Sequence, residues 1–153
     1  LNPDFRELLL AFTAEKVEYL IVGAYALSAH GYSRFTGDLD ILIRRSSENA
    51  EKVWAALHRF QAPLSDVTKT DFMSPDVVFQ MGRPPARIDI LTDISGVTFD
   101  EAWQSRVEFS LEGVPIYVIG LEALAKNKQA SNRPKDLADL AWIAKRLGNN
   151  PSQ

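Results

Sequence analysis

Gly37-Asp38-Leu39-Asp40-Ile41-Leu42-Ile43 is the stretch on which the reading of this chain turns. On a β-strand successive side chains alternate faces, so Leu39, Ile41 and Ile43 point toward a core while Asp38 and Asp40 share the other side. Two carboxylates roughly 6–7 Å apart along one strand face repel each other unless positive charge sits between them. Hard divalent cations such as Mg²⁺ or Mn²⁺ supply that charge through carboxylate oxygens, with phosphate oxygens of a substrate completing the shell. An isolated Asp-x-Asp is weak evidence, because acids at strand ends are often only solvated.

A second segment, Arg87-Ile88-Asp89-Ile90-Leu91, repeats the idea with one acid framed by apolar neighbours. If its strand lies beside the first, Asp89 completes a three-carboxylate cluster. Such a cluster holds two ions about 3.5–4 Å apart, the spacing that clamps attacking and leaving oxygens in phosphoryl or nucleotidyl transfer. Upstream, Val22-Gly23-Ala24 marks a strand giving way to a helix. Small residues there let backbone N–H groups approach a phosphate, although packing alone also explains them. Thirteen residues separate Ala24 from Asp38, enough for one short helix and a return to the sheet.

The rest of the chain reads as alternating helices and strands. An amphipathic helix opens at Asp4, with Glu7 as its capping partner and Phe5, Leu8, Leu9 and Phe12 on one face. A strand over 17–22 follows, then a short helix over 24–30 with Gly31 as its cap. A helix over 46–60 turns Val53, Trp54, Leu57 and Phe60 inward. Residues 61–76 show little periodicity and read as a long loop. Strands over 77–81 and 87–92 flank Gly82-Arg83-Pro84-Pro85. A helical turn near 99–103 precedes a hairpin over 106–111 and 114–119 about a Glu112-Gly113 turn. Two helices close the chain, from Leu121 to about Ala130 and from Asn132-Arg133-Pro134 to Gly148. The expected architecture is one α/β (α+β) domain over 1–153, a mixed twisted β-sheet flanked by helices.

On the helix from Leu121, the residues Leu121, Leu124, Ala125 and Lys128 fall on one side, so Lys128 extends the apolar face and either snorkels out or meets a buried anion. Asp136 shares a face with Leu140 and Ile143, and an acid in a first helical turn is also favoured by the macrodipole alone. A net charge of −3 and a pI near 5.4 argue against a broad basic face for nucleic acid. One local basic stretch remains, six Lys/Arg against three acids between Glu122 and Arg146, for which a solvated helix surface is the plainer reading. The lack of cysteine removes any thiolate metal site or disulfide framework. No apolar run approaches the ~20 residues of a membrane span, and the N-terminal residues carry no signal-peptide pattern, so a cytoplasmic location is expected.

Together Val22-Gly23-Ala24, Asp38-Leu39-Asp40-Ile41 and Ile88-Asp89-Ile90 resemble the signature of the DNA-polymerase-β-like nucleotidyltransferase superfamily. A closer likeness, to small bacterial nucleotidyltransferases allied to AbiEii- and MenT-type toxins, runs from Asn2-Pro3-Asp4-Phe5 through Tyr19–Gly23, His30-Gly31, Arg34, Thr36 and Asp38–Asp40. It continues in Lys128, Arg133-Pro134-Lys135-Asp136 and Asp139-Leu140. The resemblance implies a minimal nucleotidyltransferase fold that transfers a nucleoside monophosphate from a nucleoside triphosphate to an acceptor hydroxyl, on tRNA or protein. Asp38, Asp40 and Asp89 would bind Mg²⁺ or Mn²⁺, and Asp89 would also prepare the acceptor. Lys128 would neutralise phosphate charge with Asp136 in support, while Gly23, Ala24, Arg34 and Thr36 would line the nucleotide. The chain departs from the pattern at Ala24, where relatives carry a second Gly or Ser and a hydroxyl contact is lost. The implied setting includes a toxin–antitoxin pair or a homodimer. A module of the same fold that binds nucleotide or protein without turnover is the rival reading.

Overall fold

A computed structural model describes residues 1–32 and 37–148. Among these residues six strands form one mixed sheet in the order β3-β4-β2-β1-β6-β5. These are β1 (Tyr19–Val22), β2 (Leu39–Ile43), β3 (Val78–Met81), β4 (Ile88–Leu91), β5 (Val107–Leu111) and β6 (Val114–Val118). β2 runs parallel to β4 and β1 parallel to β6, and the remaining neighbours are antiparallel. The central position of β1 and β2 follows from their composition. All four residues of β1 are buried, and in β2 only Asp40 escapes full burial. Strands covered on both faces read as continuous apolar runs rather than alternating ones. That is why Leu42, on the same side as Asp40, is as buried as Leu39, Ile41 and Ile43.

Among the described residues six α-helices flank the sheet: α1 (Pro3–Ala14), α2 (Gly23–Ala29), α3 (Ser47–Phe60), α4 (Phe99–Gln104), α5 (Leu121–Ser131) and α6 (Asp136–Gly148). The apolar stripe of α1 is the expected one, with Phe5, Leu8, Leu9 and Phe12 buried, and α1 packs on α3. Its cap differs from the expected Asp4–Glu7 pair. The Asn2 side chain accepts from the Asp4 N–H at 2.8 Å, and Pro3, which lacks an N–H, fills the first helical position. In α3, Val53 and Leu57 are buried as expected, whereas Trp54 and Phe60 are only partly covered. The β5–β6 hairpin turns through Glu112 and Gly113, both with positive φ, as a tight two-residue turn demands.

The expected loop over 61–76 contains a 3₁₀ turn at Lys69–Met73, closed by a capping box between Thr68 and Asp71. It drops Phe72, fully buried, edge-on against Phe79 of β3. A single aromatic anchor leaves no periodicity to read, which is why the segment looks structureless on paper.

Asn49 on α3 ties down one end of the sheet. Its side chain accepts from the Glu18 N–H at 2.8 Å and donates to the carbonyls of Glu18 and Arg44, both at 3.0 Å. One buried amide thereby joins the entrance of β1 to the exit of β2. The other end of those strands carries Val22 and Asp40. No described helix is long and apolar enough to cross a membrane.

Candidate active site

The register of the sheet brings the acids together. Asp40 pairs with Asp89 across β2 and β4, Val22 stands opposite Asp40 on β1, and Gln80 of β3 stands opposite Asp89. Asp38 precedes β2 by one residue. A cleft of about 590 Å³ opens over this end of the sheet. Gly23, Ala24, Asp38, Asp40 and Asp89 line it from the sheet side, with Pro84 and Pro85 from the β3–β4 connection. Lys128, Arg133, Lys135, Asp136 and Asp139 line it from α5, α6 and the turn between them. The structure thus collects in one place every expected site residue except Arg34 and Thr36, which lie outside the described residues.

Two glycines make this geometry sterically feasible. A Cβ on Gly23, whose φ is +68°, would stand 2.6 Å from Asp40 Oδ2. The missing side chain therefore makes room for the Asp40 carboxylate itself, a contact invisible in the linear pattern. At Gly37 a Cβ would stand 2.4 Å from the Pro85 carbonyl oxygen, so Gly37 lets the Pro84-Pro85 wall close onto the cleft.

The Asp40 carboxyl is pushed up from 3.8 to about 6. Burial is the main cause, followed by the charges of Asp89 and Asp38, with Arg87 and Arg133 acting in the opposite direction. Asp89 is buried, and its Oδ1 has no hydrogen-bond donor among the described residues. A buried carboxylate oxygen that has an ion-pair neighbour, Arg87 Nε, but no aligned hydrogen bond, and that stands beside two further carboxylates, fits a hard divalent cation by the chemistry of its donor set. The cluster differs from the expected one in one respect. Among the described residues no three carboxylate or histidine side chains close on a common point as ligands of one ion. The Arg87 guanidinium stands among these acids, 3.2 Å from Asp38 Oδ2 and 3.1 Å from Asp89 Oδ1.

On the opposite wall Lys128 is 5 % exposed, so it meets buried anions rather than snorkelling. Its Nζ lies 3.3 Å from Asp136 Oδ1 and 3.0 Å from Asp139 Oδ2. Arg133 Nε donates to the other Asp136 oxygen at 3.0 Å. Burial alone would raise the Asp136 carboxyl, but hydrogen bonds from Arg133 and Lys128 outweigh it and hold it below the usual range. Among the described lining residues, four cations (Arg87, Lys128, Arg133, Lys135) face five carboxylates (Asp38, Asp40, Asp89, Asp136, Asp139).

Arg87, Arg133, Lys135 and Asp139 had no assigned chemical role from sequence alone. Signals existed for two of them. Arg87 stands two residues before Asp89 and so shares its strand face. Asp139 stands three after Asp136 and so shares its helix face.

The fold is that of nucleotidyltransferases, which fits the mixed sheet and flanking helices described above. A Thermotoga maritima protein assigned as a nucleotidyltransferase superposes with a TM-score of 0.60 at 17% identity, over 97% of this chain and 96% of that one. The antibiotic-resistance factor ANT(2″)-Ia superposes with a TM-score of 0.63 at 17% identity, over 96% of this chain and 84% of its own in solution. Its crystal structure with adenylyl-2″-tobramycin gives the same score and identity over 96% of this chain and 89% of that one. No family model matches the chain, and neither does any curated protein.

Proposed function

We propose that this protein is a metal-dependent nucleotidyltransferase that moves a nucleoside monophosphate from a nucleoside triphosphate to an acceptor hydroxyl. One observation carries the reading: Asp40 and Asp89 pair in register on adjacent parallel strands and, with Asp38, line one wall of an open cleft. The likeness in fold to nucleotidyltransferases, one of them bound to an adenylylated aminoglycoside, supports it.

Asp38, Asp40 and Asp89 would hold Mg²⁺ or Mn²⁺, which supplies charge neutralisation for the triphosphate and its leaving pyrophosphate. In the reaction the acceptor oxygen bonds to the α-phosphorus, the bond from that phosphorus to the β-phosphate oxygen breaks, and pyrophosphate leaves. Asp89 takes the acceptor's proton. Arg133 and Lys135 at the opposite wall meet the phosphates, while Lys128, already bound to Asp136 and Asp139, positions that wall. Such transfer rests on placement and charge rather than covalent help from the protein.

Finer parts of the proposal are the likeness to AbiEii- and MenT-type toxins, a tRNA or protein acceptor, and a cognate antitoxin or second copy as partner. The test incubates the protein and Mg²⁺ with each α-labelled nucleoside triphosphate against total RNA, total protein and aminoglycosides in separate arms. Label should enter one arm and vanish with Asp40→Asn. Absence of label in every arm would refute nucleotidyl transfer. The rival, a nucleotide-binding module without turnover, is favoured by the Arg87 bridge between Asp38 and Asp89. Calorimetric binding of nucleotide without label transfer would establish it. Growth arrest on expression, abolished by Asp38→Ala, is the outcome expected of a toxin.

A further inference from the structure

β5 is the last strand of the sheet among the described residues. Its five residues pair with β6 without a bulge, from Val107–Val118 to Leu111–Val114. Leu111 and Val114 flank the two-residue turn at Glu112-Gly113 and so form a hydrogen-bonded pair. Such pairs alternate with non-bonded ones. Ser110 therefore faces Pro115 in a non-bonded pair, as a residue without an N–H allows. The backbone N–H and C=O groups of Glu108 and Ser110 accordingly point off the sheet rather than toward β6. Both residues are exposed, and the alternate row of Val107, Phe109 and Leu111 is only half-buried. Beside that row lies an apolar hollow of about 150 Å³, bordered by Phe109, Leu111, Tyr25 and Ala29. A proline, a lysine or a bulge ordinarily blunts such an edge, and β5 has none of them.

We propose that β5 is the surface on which a second copy of this chain docks, antiparallel and centred on Phe109, so that two sheets join into one. Charge complementarity selects this occupant. Only the register centred on Phe109 overlaps all five residues of both strands. It sets Glu108 against the partner's Ser110, Val107 against the partner's Leu111, and the two phenylalanines against each other. It also brings Arg106 level with the partner's Glu112, and by symmetry Glu112 level with the partner's Arg106. Both side chains are exposed and keep bonding capacity. Arg106 lies over the Trp103 ring and gives one N–H to the Trp103 carbonyl, while Glu112 meets the Leu1 amino group at 2.9 Å. The neighbouring registers bring like charges together. Centred on Glu108, the pairing sets that acid against its own copy; centred on Ser110, it sets Glu108 against the partner's Glu112 twice. The inference gives a surface to the second copy named above and does not depend on nucleotide transfer, since β6 separates β5 from the strands that carry the cleft.

Sedimentation equilibrium of the full chain tests the interface. A contact between two short strands belongs with the weak dimers, so a Kd on the order of 10 µM is expected. Ser110→Glu places a carboxylate against the partner's Glu108 at two symmetry-related positions and should weaken association at least about tenfold. Adding Glu108→Lys turns both contacts into opposite-charge pairs and should restore the wild-type Kd. The double variant carries the same substitution at 110, so its recovery excludes misfolding as the cause of the loss. A wild type that stays monomeric at about 1 mM overturns the interface. A dimer that Ser110→Glu leaves intact, or that Glu108→Lys fails to restore in the double variant, overturns it as well. Each of these results leaves the nucleotidyltransferase reading untouched.

Discussion

Replacing Asp40 by asparagine should make the protein more stable at neutral pH while destroying its capacity to bind a divalent ion. The reasoning starts from a carboxyl held at about 6 rather than 3.8 by burial and by Asp89 and Asp38. At 1.36 kcal/mol per pH unit, that difference penalises the charged form by about 3 kcal/mol at most. Local relaxation and partial solvent access reduce the figure to about 1–2 kcal/mol. The sign follows from proton counting. Between pH 4 and 6 the folded protein keeps a proton that the unfolded chain has released, so stability falls as pH rises through this window and stays lowered above it. Asparagine carries no charge and escapes the penalty. Asp40→Asn should therefore melt about 3–6 °C above the wild type at pH 7.5 in EDTA, a shift scaled for a chain of this length. The gap should close at pH 4, where Asp40 is neutral in the folded wild type. Saturating Mg²⁺ should raise the wild-type melting temperature and leave the variant unmoved. A variant less stable than the wild type at pH 7.5, or a gap independent of pH, would refute the argument.

Lys128→Met should cost about 3 kcal/mol in urea denaturation by leaving Asp139 buried without its lysine, and adding Asp139→Asn should recover part of the loss. Asn49→Ala removes three partly buried hydrogen bonds between α3 and the ends of β1 and β2, for an expected loss of about 2–3 kcal/mol in the same assay. Gly23→Ala and Gly113→Ala both place a side chain at positive φ, at about 1–2 kcal/mol each. Only the first also meets Asp40 Oδ2, so only Gly23→Ala should weaken Mn²⁺ binding; equal binding by both variants would show that the contact is immaterial.

What could be read in advance was whatever depends on local pattern. The alternation of Leu39, Asp40 and Ile41, the acid at 89, the hairpin about Glu112-Gly113 and the apolar side of α5 carrying Lys128 all follow from side-chain period and turn chemistry. Pairing between strands was not local. The sequence 87–91 holds no mark saying that it lies parallel to β2 with Asp89 level with Asp40. Side-chain direction was the other gap. Arg87 shares a face with Asp89, but whether it turns toward the acids or away depends on packing that no one-dimensional period encodes. The anchoring of Phe72 was hidden for the same reason, because its partner Phe79 lies on a different strand.

The Asn49 clip divides the sheet's labour along its length. Three bonds lock the strand ends where no chemistry is placed, leaving Asp38 and Asp40 for the opposite end of β2, beside Asp89 of β4. The amide of Glu18 should consequently be among the last to exchange with heavy water. Amides around Gly37 and Asp38 should open first and become guarded only when a cation quiets the repulsion beside them.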